Sequence, residues 1–178
     1  MYEQIIEFWF EELEPAQWWK KDAAFDALLK ERFANLHGQA AAAELYDWRT
    51  CAEGRLAEII ILDQFSRNMY RDTPRAFAQD GMALALAQEA VAHGADQALS
   101  PAQRSFLYMP YMHSESLRIH QAAEALYRQN GVQSSFDFEM KHKRIIERFG
   151  RYPHRNGILG RPSTMEEIEF LQQPGSGF

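Results

Sequence analysis

A chain of 178 residues with 46% hydrophobic content can bury one good-sized core without a second domain. Its net charge of −6 argues against general affinity for nucleic acid, and no apolar run approaches the roughly 18 residues needed to span a bilayer. The start, Met1-Tyr2-Glu3-Gln4, lacks the basic residues and apolar stretch of a signal peptide, and the one cysteine, Cys51, cannot form an internal disulfide; both suit a reducing cytoplasm.

Sparse β-branched residues and abundant Ala, Leu, Glu, Gln and Arg favour helix throughout. Tyr2–Glu12 reads as a first helix, stopped near Pro15, with Phe8, Trp9, Phe10, Trp18 and Trp19 as packing material. Asp22 is placed to cap a second helix that runs to about Leu36 and closes at Gly38, with Phe25, Leu28, Leu29 and Phe33 at helical spacing. Gln39–Trp48 reads as a short Ala-rich helix. Thr50 and Glu53 form a capping-box pattern opening a fourth helix to about Tyr70, apolar nearly all round at Ile59–Leu62 as a central buried helix would be.

Pro74 sits at a first-turn position, and a helix there ends at Gly94. Ser100, Pro101 and Gln103 make another start signal, and Pro110 breaks or kinks the helix that they open. Ser114–Asn130 is amphipathic and stops at Gly131. Ser135–Phe149 stops at Gly150, and Arg151–Pro162 is a loop. Ser163 and Glu166 are spaced to cap a last helix to about Gln173. The expected fold is therefore all-α: eight or nine helices in antiparallel pairs, one domain over 1–178, with no fixed repeat period.

Four stretches resemble a bacterial family of uncharacterised proteins. They are Phe8–Phe10 (FWF), Ile61–Phe77 (ILDQFSRNMYRDTPRAF), Phe106–Glu115 (FLYMPYMHSE) and Arg148–Asn156 (RFGRYPHRN) with Leu159–Arg161 and Ser163–Glu167. The resemblance implies a helical, tetratricopeptide-like fold. It implies no activity and no catalytic residues.

Two arginine-rich places stand out. On the fourth helix, Leu56, Ile60, Asp63, Gln64, Arg67 and Arg71 share one broad face that turns from apolar to charged, with Arg75 just beyond. Near the end, residues 141–161 carry Lys141, Lys143, Arg144, Arg148, Arg151, Arg155 and Arg161 against Glu147 alone, with His154 and Asn156 among them. Guanidinium forks aimed together would suit a phosphate or carboxylate. The bland alternatives are arginines tied to Asp72, Asp80 and Glu115, and cations placed at a helix C-terminus.

The candidate ligand-binding set is Asp63, Gln64, Arg67, Arg71, Arg75, His113, Glu115, Arg148, Arg151, His154, Arg155 and Arg161. The acids within these strings are fewer than the bases, which leaves positive charge for a bound anion to offset. Glu139 and His142 have the spacing of half a di-iron site, but no second Glu-x-x-His occurs. Cys51 has no partner that would activate it, and Phe106–Met112 reads as core. Gly-x-Gly-x-x-Gly and phosphate-loop motifs are absent, so no cofactor is expected.

Two function classes remain. One is a soluble helical protein that binds a small anion in an Arg/His pocket, enzymatic or not. The other is an interaction module that grips a peptide partner in a helical groove. Neither a nucleic acid nor a membrane is an expected partner.

Overall fold

The computed structural model describes residues 1–177. Among these residues there is no strand. The helices are α1 (Glu3–Glu7), α2 (Ala23–Ala41), α3 (Ala52–Ile60), α4 (Ser66–Met69), α5 (Asp80–Ala92), α6 (Pro101–Leu107), α7 (Met109–Met112), α8 (Leu117–Asn130), α9 (Gln133–Phe149) and α10 (Met165–Leu171). A π turn over Phe8–Glu12 prolongs α1, and another over Ile61–Phe65 fuses α3 to α4. Counted as continuous rods, the described residues hold eight helices, or nine if the kink before Pro110 is a break. No helix among them is long and apolar enough to cross a membrane.

The fused α3–π–α4 rod lies at the centre, as its all-round apolar sequence requires. Leu56, Ala57, Ile59, Ile60, Ile61, Leu62 and Phe65 are all essentially inaccessible. Phe8 and Trp9 pack on it from one side, and Phe25, Leu29 and Phe33 of α2 from another. Ala83, Ala87 and Ala90 of α5 are buried without bulk, which lets that helix approach closely. The α8–α9 pair forms a hairpin closed by Gly131 in a left-handed conformation (φ +76°), and Gly150 (φ +68°) closes α9 the same way. A smaller cluster of Ile145, Ile146 and Tyr152, backed by Phe149 and Phe170, ties the last segment to α9.

Several boundaries differ from the sequence reading, each for a local reason. Helix α2 runs through Gly38 to Ala41, because His37 and Ala40 are buried and the His37 Nε2 sits 2.8 Å from the Ser66 Oγ on the central rod. The expected Gln39–Trp48 helix is not formed; Ala43 at φ +59° turns the chain, and only a 3-10 turn succeeds it, at Tyr46–Thr50. Thr50 does not cap α3, since its hydroxyl donates to the Asp47 carbonyl. Pro74 starts a 3-10 turn, and α5 begins later, at Asp80. The last capping box is Thr164 with Glu167, one residue beyond the Ser163–Glu166 pair, because the Glu167 carboxylate is drawn inward to Arg151 and Asn156. Asp22 and the Ser100–Gln103 box cap as expected.

At Gly54 the central rod lies against the backbone of Trp48. A Cβ built there would lie 2.1 Å from the Trp48 carbonyl oxygen. Replacing a helical glycine with alanine ordinarily stabilises by about 0.5–1 kcal/mol. Gly54→Ala is expected to reverse that sign and cost about 1–3 kcal/mol, because backbone must shift to clear the methyl. Chemical denaturation of the variant against the wild type reads the difference.

Candidate functional site

The site grows from the π turn in the central rod. The wider turn frees backbone carbonyls, and side chains take them: Ser66 Oγ donates to the Leu62 carbonyl at 2.6 Å and Arg67 Nη1 to the Asp63 carbonyl at 3.0 Å. The Asp63 carboxylate, 1% exposed, accepts from His113 Nδ1 at 2.8 Å and Gln64 Nε2 at 2.6 Å, and forms an ion pair with Arg67 Nη1 at 3.1 Å. Burial alone would raise its pKa, but Arg67 and His113 hold it well below the usual carboxylate range.

Arg67 also lays its fork on Asp80, at 3.0 and 3.1 Å. Asp80 opens α5, and its second oxygen accepts from Arg155 Nη1 at 3.2 Å. Arg155 donates Nη2 to the His113 carbonyl at 3.0 Å and lies 4.6 Å over the rings of both Phe77 and Tyr152. Arg155 is 6% exposed, and its Nε has no acceptor among the described residues. Burial, and then the neighbouring charge of Arg67, push its pKa down against the pull of Asp80 and Glu115.

Tyr152 is the hub on the other side. Its hydroxyl donates to the Met112 carbonyl and lies 3.2 Å from His120 Nε2, and its backbone N–H donates to Glu115 at 2.7 Å. His154, His142 and His120 stand with ring centroids 5.6, 5.7 and 6.3 Å from the tyrosine ring, and His113 stands 6.4 Å from His142. His120 is wholly buried between Glu139 and the Ser114 carbonyl, 2.8 Å from each. Burial raises the Glu139 pKa, with His120 opposing. Burial also depresses the other histidines, His142 to about 3 and His154 to about 4, where Arg155 and Arg67 push the same way. His113 is lowered by burial and Arg67, with Asp63 opposing. These three are therefore neutral imidazoles at physiological pH.

The structure brings Asp63, Gln64, Arg67, His113, Glu115, His154, Arg155 and Arg161 into one contiguous network. Arg161 joins it by a fork on Glu115 at 2.7 and 2.9 Å. Arg151 is bound by Glu167 at 2.7 and 2.8 Å, one step away through Asn156. Three members of the candidate set lie elsewhere. Arg71 falls beyond the end of α4 and grips Asp26 of α2 at 2.6 and 2.8 Å. Arg75 is exposed over the Tyr70 ring, 4.0 Å away. Arg148 is exposed, paired with Glu166 at 2.8 Å.

The expected surplus of positive charge is corrected by the same contacts. Asp26, Asp80, Glu166 and Glu167 come in from outside the arginine-rich strings, so Arg67, Arg71, Arg148, Arg151, Arg155 and Arg161 each meet a carboxylate. Asp72 is not one of the partners; it pairs with Lys21 at the surface. Sequence reading gave no role to Tyr152 or His120, because nothing local marks a hub whose contacts are 32 and 40 residues away. The Glu139–His142 spacing does not build a metal half-site: Glu139 meets His120, and His142 Nδ1 lies 2.8 Å from the Phe138 carbonyl. Among the described residues no group of three His, Cys, Asp or Glu side chains could hold a metal ion.

A family model described as a bacterial protein of unknown function, DUF924, matches residues 5–175. The chain belongs to this family. A solved structure described as that of a protein of unknown function, ATU0120 from Agrobacterium tumefaciens, is similar to it: 42% identical, covering 96% of each chain, with a TM-score of 0.91. No curated protein matches the chain. The solved structure shares the fold of this chain, and membership in DUF924 assigns no role to any residue of the network.

Two outcomes are expected for this DUF924 chain. Asp80 holds two guanidiniums, so Asp80→Asn leaves both short of charge; with its side chain 21% exposed, the cost is expected near the lower end, about 3 kcal/mol by urea titration. The histidines set a pH dependence. Unfolded, each takes up its proton near pH 6.5; folded, His154 does so near 4 and His142 near 3. Between those values the unfolded state binds more protons, so stability is full above pH 6.5 and declines as pH falls toward 3. The slope is at most about 1.4 kcal/mol per pH unit for each histidine. Urea midpoints measured from pH 8 to 4 should stay level, then fall below 6.5, with a shallower fall in His142→Asn.

Proposed function

We propose that this protein binds a small anion, a phosphate or a carboxylate, at the Arg67–Arg155 pair beside His113 and His154. The observation that carries the reading is the Arg155 guanidinium: it is buried, and its Nε–H lacks an acceptor among the described residues while Asp80 meets only its Nη1. An unmade hydrogen bond on a buried cation is costly, and an incoming anion would complete it. The flanking histidines are neutral and add no charge, and the Nε2 of His113 is left with a lone pair once its Nδ1 meets Asp63. The lone, unpaired Cys51 agrees with a cytoplasmic setting for such a protein.

A peptide-binding groove of the tetratricopeptide-like kind is the second reading, and one feature favours it. Trp19 and Phe138 are exposed and stack with centroids 6.3 Å apart. The stack is a patch and not a groove, which is why the anion reading stands first.

A thermal-shift series with phosphate, sulfate and small carboxylates separates the two. A ligand at 100 times its dissociation constant stabilises the native state by about 2.7 kcal/mol. The expected result is a shift with at least one anion that disappears in Arg155→Lys, which keeps the charge and loses the fork, and persists in Arg148→Ala on the outer surface. No shift with any anion, or a shift that survives Arg155→Lys, sinks the reading.

A further inference from the structure

The Asp63–His113 pair is more specific than anion binding requires. An ionised carboxylate only accepts hydrogen bonds, so the Asp63 Oδ1 at 2.8 Å fixes the proton of His113 on Nδ1 and leaves a lone pair on Nε2. Asp63 itself has no slack, since Gln64 holds Oδ2 and Arg67 closes on Oδ1. The remaining histidines of the cluster are differently engaged. His120 uses both ring nitrogens, on Glu139 and on the Ser114 carbonyl, and His142 spends Nδ1 on its own helix at the Phe138 carbonyl. His113 alone among them pairs a buried, ionised carboxylate with an Nε2 that meets no hydrogen-bond partner among the described residues.

We infer that His113 is a general base: its Nε2 removes a proton from a water or hydroxyl held beside the anion that Arg67 and Arg155 bind. The inference rests on the anion-binding reading and adds a reaction step to it. In that step an O–H bond breaks, its electron pair stays on oxygen, and the proton forms a new N–H bond on Nε2. The imidazolium that results is paired with the Asp63 carboxylate. The oxyanion that results is formed next to Arg155, whose Nη2 already donates to the His113 carbonyl at 3.0 Å. Asp63 acts through His113 and is a positioning residue; it keeps the imidazole in the tautomer that can accept.

Diethyl pyrocarbonate, which acylates an unprotonated imidazole nitrogen, reads this directly on the full chain at neutral pH, with peptide mass spectrometry to give a rate for each histidine. His93, whose side chain is 63% exposed, is the internal standard. Although the His113 side chain is only 11% exposed, it is expected to react at least as fast as His93. Asp63→Asn is expected to slow His113 by about tenfold or more, as loss of an oriented base would, while His93 is unchanged. A buried histidine with a purely structural role would react slowly in the wild type, and that result overturns the inference whether or not Asp63→Asn folds. Inorganic phosphate in the same experiment separates the two proposals. Fast, phosphate-protected modification supports both. Fast modification without protection keeps the base and removes the shared anion site. Slow modification of a protein that phosphate still stabilises removes the base and keeps the anion site.

Discussion

The rest of the site depends on one ionic junction. Asp80, at the first turn of α5, receives Arg67 from the central rod and Arg155 from the segment after α9. These residues are 13 and 75 positions from Asp80 in the chain. Each guanidinium would be costly to bury unpaired, so the arrangement is stable only when all three elements are in place together. The junction therefore fixes the relative position of the rod, α5 and the last loop, and with them the whole polar cluster.

Around that junction the protein separates charge from neutrality. Arg67, Arg155, Asp63 and Asp80 sit close together and nearly cancel. His113, His142 and His154 are kept neutral because burial disfavours their charged form, and the arginines oppose it further at His113 and His154. Neutral imidazoles beside fixed guanidiniums can accept protons without first losing them. Forks from Arg151 and Arg161 onto Glu167 and Glu115 hold the loop that carries Tyr152, His154 and Arg155 against α10 and the α7–α8 connection. The polar cluster is thus held in place by ion pairs at its margin.

Much of the helical framework was legible because its signals are local. Asp22, the Ser100–Gln103 box, Gly131 and Gly150 each act within a few residues, and each behaved as its chemistry predicts. The apolar run Ile59–Leu62 could only be satisfied at the centre of a bundle. Errors arose where a distant contact outweighed a local preference. Gly38 did not stop α2, because His37 was needed against Ser66. Thr164 displaced Ser163 as a cap, because Glu167 was already committed to Arg151. The π turn had no sequence signature, yet it carries Asp63 and Gln64 into the core.

The sequence by itself determined the helices, most of their ends, the buried central rod and the residues from which a polar site is built. Hydrogen bonds and apolar periodicity over four or five positions suffice for those. Only the tertiary structure decided which arginines share a site, since that turns on acids drawn from other elements. Asp26 took Arg71 and Glu166 took Arg148 away from the cluster, while Asp80 drew Arg67 and Arg155 together. Electrostatic partners are chosen by distance in space, and the chain encodes that distance only after every helix has packed.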